Sequence, residues 1–159
     1  MVTPNDAKAR AISTYDAAAD SYDNPANSFW ERFGRRTIER LHLQPGARVL
    51  DVCCGSGASA IPAAEKVGPE GFVLGVDLAE KLLERGRSKA TKRGLQNLEF
   101  RVGDMLDLRL PRSELDAVVC VRHRQNIRFG YVDRPHIHHD RGEVSGDGIS
   151  LAAQQHGLA

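Results

Sequence analysis

The sequence predicts an α/β domain: a mostly parallel sheet with helices on both faces, preceded by an N-terminal helical extension and incomplete in its C-terminal half. Three observations carry that expectation. Apolar runs of strand length recur at 49–52, 72–77, 98–102 and 115–121, each bounded by turn residues. Helix-patterned segments at 58–67 and 79–92 separate the first three runs, and strand–helix–strand alternation needs crossover connections and parallel pairing. The first run empties into Gly55, Ser56 and Gly57, a glycine turn that passes straight into a helix.

In chain order, residues 6–20 are alanine-rich and polar, with Ile12 and Tyr15 as the main bulky anchors. A helix is expected there that apolar packing holds only weakly. Pro25 breaks the pattern, since it lacks an N–H and disfavours helix in the residue before it. A second helix is expected from Ser28, where Ser28 and Glu31 have capping-box spacing and Trp30, Phe33, Thr37, Ile38 and Leu41 share one face. Gln44, Pro45 and Gly46 stop it before the first strand. Pro62 is tolerated in the helix after the glycine turn because it falls in the first turn, whose N–H groups lack intrahelical partners. The strand at 72–77 ends in Asp77. In the helix that follows, Ala79, Leu82, Leu83, Gly86 and Ala90 form the buried stripe, and Lys81, Arg85, Arg87, Lys89 and Lys92 are expected to face water. Gly86 should let that helix lie close to the sheet. Leu98, Phe100 and Val102 then alternate into a third strand leading to Gly103, Asp104 and Met105, and after Pro111 the run LDAVVCV makes a fourth.

From Arg122 the periodicity is lost. Residues 122–159 hold five of the six histidines, and arginine without lysine. The expected organisation is therefore a helical region at 1–44, an α/β core at 45–121 and a tail at 122–159 that is disordered or out-of-frame. That would leave Val118, Val119 and Val121 on an exposed edge strand open to self-association. His136, His138, His139 and Asp140 superficially suggest a metal cluster. Nothing around them would orient the rings, so no metal site is expected.

Composition narrows the function classes. A chain of 159 residues with 41% hydrophobic and 27% charged residues suits one globular domain. The net charge of +1 is made of interspersed signs, so no basic stripe indicates nucleic acid and a small-molecule partner is expected. Cys53, Cys54 and Cys120 lack metal-ligand spacing, and an adjacent pair would make a strained disulfide, which fits a reducing cytoplasm. No apolar run approaches the roughly twenty residues of a membrane span, and the start lacks the apolar stretch of a signal peptide.

Asp51, the Gly55–Gly57 turn, Asp77 and Asp104 should cluster at the carboxyl ends of adjacent parallel strands, where open α/β sheets bind ligands. Asp77 is suited to accept from both hydroxyls of a ribose. Asp104 can accept from the exocyclic amine of adenine, with Leu78 and Met105 as apolar walls. Two ligand classes compete. Residues 55–60 satisfy the GxGxxA dinucleotide fingerprint with Asp77 in the place of an NAD-binding acid, which would make the chain an NAD-dependent oxidoreductase domain. Asp51 argues against this, because a carboxylate just before the turn repels a pyrophosphate and favours a ligand with ammonium and sulfonium groups. S-adenosylmethionine has both, and no phosphate.

VLDVCCGSG at 49–57, GVD at 75–77, GD at 103–104 and LDAVVCV at 115–121 resemble the ordered motifs of class I S-adenosylmethionine-dependent methyltransferases, whose fold is Rossmann-like. Residues 17–46 also resemble the N-terminal helical region of those similar to the ubiquinone and menaquinone biosynthesis enzymes. The resemblance implies that Asp51, Cys54 and Gly55 line the methionine part of the cofactor and that Gly57 makes the turn. It implies that Asp77 holds the ribose, Leu78 and Met105 flank the adenine and Asp104 binds its amine. Tyr15 and Tyr22 stand open between lid residues and ordinary packing. Cys53 occupies a place where the family usually has glycine. The family's sheet continues beyond the fourth strand into the region that usually supplies the acceptor pocket, so no catalytic residue is assigned. The function expected is methyl transfer to a small molecule, from a truncated form holding the cofactor half. A non-catalytic cofactor-binding fragment is the alternative from a different class.

Overall fold

Val49, Leu50 and Val52 build β1 (Arg48–Val52), the strand on which the sheet is laid in the computed structural model. The structure describes residues 4–24, 26, 28–105, 107–108, 115–121 and 130–131. β2 (Phe72–Asp77) pairs with β1 in parallel, Arg48 opposite Phe72 through Val52 opposite Val76. β3 (Leu98–Val102) lies outside β2, and β4 (Ala117–Val119) pairs in parallel with the other side of β1. With β5 (Gly130–Tyr131) the sheet has the order β3-β2-β1-β4-β5. The chain runs outward from β1 to β3 and then crosses back to β4. The order reverses beside β1, and such a reversal opens a crevice at the strands' carboxyl ends.

The expectation of an exposed edge at Val118, Val119 and Val121 is corrected in part, at the start of β4. β5 pairs antiparallel with β4, Tyr131 opposite Ala117 and Gly130 opposite Val118, and Val119 is buried. The strand that covers the edge comes from the segment whose sequence has no period, which is why pattern reading missed it. The histidine run at 136–139 lies outside the described residues.

Strand alternation divides the core. Val49, Val73, Phe100, Ala117 and Val119 face α3 (Ala60–Val67) and α4 (Glu80–Lys92), which contribute Ala60, Ile61, Ala63, Ala64, Val67, Leu83 and Ala90. Leu50, Val52, Leu74 and Val76 face the other way, toward Leu108, Leu115 and Val118. The expectation of helices on both faces is met on the first face; among the described residues this second face carries connecting segments. α2 (Phe29–Arg40) adds Ile38 to the first cluster, continued by Leu41 and Leu43. It lies very close to the segment before α3: a Cβ on Gly34 would come within 2.2 Å of the Ala58 carbonyl oxygen. Phe100 sits in a socket of glycines, since a Cβ on Gly57, Gly75 or Gly86 would approach its ring to 2.8–3.0 Å. The expected close approach of Gly86 is therefore explained by one aromatic ring.

α1 (Pro4–Tyr22) is held differently. Ala19 is its only fully buried apolar residue among those described, packed with Ala79, Leu82 and the half-buried Tyr22. Charge does the rest. Lys8 pairs with Asp104, the Lys81 N–H donates to Asp16, and Arg85 donates to Asp20 at 2.9 Å.

Two local expectations fail. Ser28 makes no side-chain cap, being already in helical conformation, and Glu31 stands 3.8 Å from Lys89 instead of reaching back. Arg85, Arg87 and Lys89 do not simply face water: Arg85 and Lys89 bind acids at the end of α1, and Arg87 bonds Glu80 and the Phe100 carbonyl. A helical wheel cannot show that a second helix lies over its polar face.

Candidate cofactor site

The turn after β1 is drawn together by backbone bonds. The Cys54 N–H donates to the Val76 carbonyl at 3.1 Å, and the Gly57 N–H to the Cys54 carbonyl at 2.9 Å. Gly55 and Gly57 have φ of 53° and 87°, a left-handed conformation that glycine adopts without steric cost. Cys53 shares that conformation at φ 57° and is the only non-glycine among the described residues to do so. This gives physical content to the departure at position 53, where a Cβ must sit against the following carbonyl. Cys53→Gly should raise the stability by about 1 kcal/mol, the αL penalty less the extra unfolded-chain entropy of glycine. Urea unfolding checks this, and a lower midpoint for the variant would contradict it.

The acids gather at the turn, each in a different state. Asp77 accepts from the Gly55 N–H at 2.9 Å through Oδ2 and from the Ala79 N–H at 3.0 Å through Oδ1. It thereby ties the turn to the start of α4 and keeps further lone-pair positions for a ligand. Asp51 lies beneath the turn with no exposure. Its Oδ2 accepts from Ser59 Oγ at 2.6 Å, while Oδ1 is buried without a partner. Ser59 precedes α3 as its N-cap residue but makes no side-chain cap, because its hydroxyl is given to Asp51. Burial pushes the Asp51 carboxyl up to about 7, with Cys53 and Asp77 adding to the rise and the bonds from Ser59 and Ala60 opposing it. Asp104 is paired with Lys8 of α1.

The remaining predicted residues divide into rim and interior. Leu78 is half-buried and Met105 is 45% exposed, with its sulfur 3.3 Å from the Cys53 thiol, so these two form an apolar rim. Cys54 turns inward: its sulfur would lie 3.0 Å from a Cβ on Gly75, and burial followed by the charges of Asp51 and Asp77 raises its thiol well above the ordinary value. The thiol also donates to the Gly55 carbonyl of the turn at 3.7 Å. Tyr22 stands over the turn, its hydroxyl 3.6 Å from where a Cβ on Gly55 would be. Burial, then Tyr15, Asp77 and Asp23, push its phenol up to about 12, so it remains a neutral hydrogen-bond donor. Tyr15 packs edge-on against it and is 48% exposed, and Trp30 stacks on it at 6.1 Å. Sequence reasoning missed Ser56, Asp23 and Lys89, which meet at the turn. The available signal was the spacing of Asp20 and Asp23, at and just past the end of α1, against Arg85 and Lys89 one helical turn apart on α4.

An orphaned buried carboxylate oxygen, a backbone cradle and further acids at the strand ends fit a cationic nucleoside better than a pyrophosphate. Among the described residues no group of His, Cys, Asp and Glu could hold a metal ion.

Comparison with known proteins agrees. Aklanonic acid methyltransferase DauC of Streptomyces sp. (strain C5) is 38% identical over 112 residues, covering 70% of this chain and 51% of that protein. Demethylmenaquinone methyltransferase of Listeria monocytogenes is 37% identical over 108 residues, covering 65% of this chain and 46% of that protein. Nocamycin O-methyltransferase of Saccharothrix syringae is 38% identical, covering 67% of this chain and 38% of that protein. The chain thus spans about half the length, or less, of these relatives. A SAM-dependent methyltransferase from Aquifex aeolicus superposes with a TM-score of 0.56 at 25% identity, over 66% of this chain and 55% of that one. Residues 43–128, from the end of α2 through the β4 region, match the methyltransferase domain family, and the chain belongs to it.

Proposed function

We propose that this chain binds S-adenosylmethionine at the 55–57 turn and that the protein transfers its methyl group to a small-molecule nucleophile. The observation that carries the reading is the set of acids at the strand ends, above all the unpartnered Oδ1 of Asp51 beneath the glycine turn. A buried carboxylate with one oxygen unpartnered is costly, and a ligand's positively charged group is what that oxygen lacks. When bound, the cofactor supplies a methyl group on a sulfonium, which leaves with the sulfur keeping the bonding pair. The chain's residues bind and orient. Asp77 offers its free lone pairs to the ribose hydroxyls, Asp104 accepts from the adenine amine, Leu78 and Met105 flank the base, and Tyr22 excludes water from above. Asp51, Cys54 and Gly55 form the methionine end, Cys54 through its backbone, and Gly57 closes the turn. Rate enhancement then comes chiefly from holding two reactants close and aligned. None of the three cysteines is in a disulfide, which supports a cytoplasmic setting. No helix among the described residues is long and apolar enough to cross a membrane.

Calorimetric titration with S-adenosylhomocysteine, run beside NADH, tests the reading. Binding in the micromolar range to the first and none to the second is expected. NADH binding with no response to S-adenosylhomocysteine would overturn it in favour of a dinucleotide enzyme.

A further inference from the structure

One cluster at the turn is used by nothing described above. Ser56 Oγ donates to Asp23 Oδ1 at 2.7 Å, and Lys89 Nζ donates both to that oxygen and to Ser56 Oγ at 3.0 Å. Arg85 stands 3.8 Å from the other Asp23 oxygen, and Glu31 of α2 stands 3.8 Å from Lys89. Ser56 is 3% exposed, and the side chains of Lys89 and Asp23 are 22% and 24% exposed. Such shielding is unusual for lysine and strengthens charge-assisted bonds. The three residues come from three places: the segment just after α1, the middle of the glycine turn, and α4.

We propose that Asp23 and Lys89 are a positioning pair for the cofactor site: they clamp the Ser56 hydroxyl, fix the turn between Gly55 and Gly57, and draw Tyr22 over it. The proposal rests on the cofactor reading above. A turn with glycine on both sides of Ser56 has backbone freedom to lose on binding a ligand, and a side chain anchored at its centre removes that loss beforehand. Tyr22 is the chain neighbour of Asp23, so closing the clamp places its hydroxyl at the turn. α1 buries too little apolar surface to hold this arrangement unaided. Lys89 reaches the turn from the α2 side, lining a cavity of about 200 Å³ with Gly57, Ala58, Glu31 and Arg32. Asp77, Leu78, Asp104 and Met105 do not line that cavity. The pair therefore acts through the turn and does not touch the cofactor.

The test is the affinity of the full chain for S-adenosylhomocysteine, read by calorimetry and by the fluorescence of its single tryptophan, Trp30, which stacks on Tyr22. Lys89→Met and Asp23→Asn should each weaken binding about ten-fold. Lys89→Arg, which keeps the cation and its donors, should recover to within about three-fold of wild type. The ligand has no net charge, so raising NaCl from about 0.05 to about 0.5 M should weaken wild-type binding through the clamp and leave Lys89→Met nearly unaffected. Should the charge variants fail to fold, Ser56→Ala removes only the hydroxyl and must still weaken binding in a chain that remains folded. Wild-type binding with unaffected variants, or a Lys89→Arg chain no better than Lys89→Met, overturns the proposal alone. A folded wild-type chain that does not bind removes the cofactor reading and the proposal with it.

Discussion

Asp77→Ala is expected to reduce affinity for S-adenosylhomocysteine by about 100-fold or more, the largest loss from any single substitution in the site. Two effects add. The carboxylate offers a ligand its remaining lone pairs, and each hydrogen bond to a charged group contributes about 1.5–3 kcal/mol. The same oxygens also hold the Gly55 and Ala79 N–H groups, so alanine frees the turn and leaves those donors unsatisfied. Asp77→Asn separates the effects. One amide oxygen can still accept from the Ala79 N–H, but the amide N–H₂ then opposes the Gly55 N–H, donor against donor. Asparagine should therefore keep the start of α4 while losing the turn, and bind almost as poorly as alanine with a higher thermal midpoint. Calorimetry and thermal unfolding on both variants decide this. A folded Asp77→Ala chain that binds within about three-fold of wild type would remove Asp77 from the site.

The fold was legible where a physical period was present. The apolar runs at 49–52, 72–77 and 98–102 correspond to β1, β2 and β3, because buried parallel strands and amphipathic helices write their packing directly into residue order. The strand-end acids were legible for the same reason, since parallel topology brings every strand's carboxyl end to one side. What was not legible depends on contacts between elements distant in sequence. Lys89 looked solvent-facing because its partners, Asp23 and Ser56, lie 66 and 33 residues away. Glu31 had the right spacing to complete a cap and instead faces Lys89. The motif gave Cys54 a place at the turn but not its orientation: its thiol is buried against Gly75 and donates to the Gly55 carbonyl at 3.7 Å. β5 arose in a segment with no period, so its pairing with β4 had no local signal.

Asp51→Asn should stabilise the free chain at pH 8 and have little or the opposite effect at pH 4. The folded state raises the Asp51 carboxyl from an ordinary value of 3.8 to about 7. Below about pH 4 both folded and unfolded chains are protonated there, and the group costs nothing. Between the two values the folded chain keeps a proton that the unfolded chain releases, so stability falls as pH rises, and above about 7 the penalty is complete. At roughly 1.4 kcal/mol per pH unit the full effect is a few kcal/mol. Asparagine cannot ionise, and its oxygen can keep the Ser59 bond. The difference in thermal midpoint between variant and wild type, which cancels the other carboxylates, should therefore grow between pH 4 and 7 and level off above. A difference that is flat across that range would show that Asp51 titrates normally. The same acid links stability to function. A ligand's ammonium group placed at the turn favours the ionised carboxylate, so binding of S-adenosylhomocysteine, a zwitterion with that group, should at pH 6 release a proton from wild type and none from Asp51→Asn, measurable as a buffer-dependent binding enthalpy. A chain that keeps a buried acid with one oxygen unpartnered under its glycine turn is less stable when empty, and that cost is offset when a ligand's ammonium group arrives.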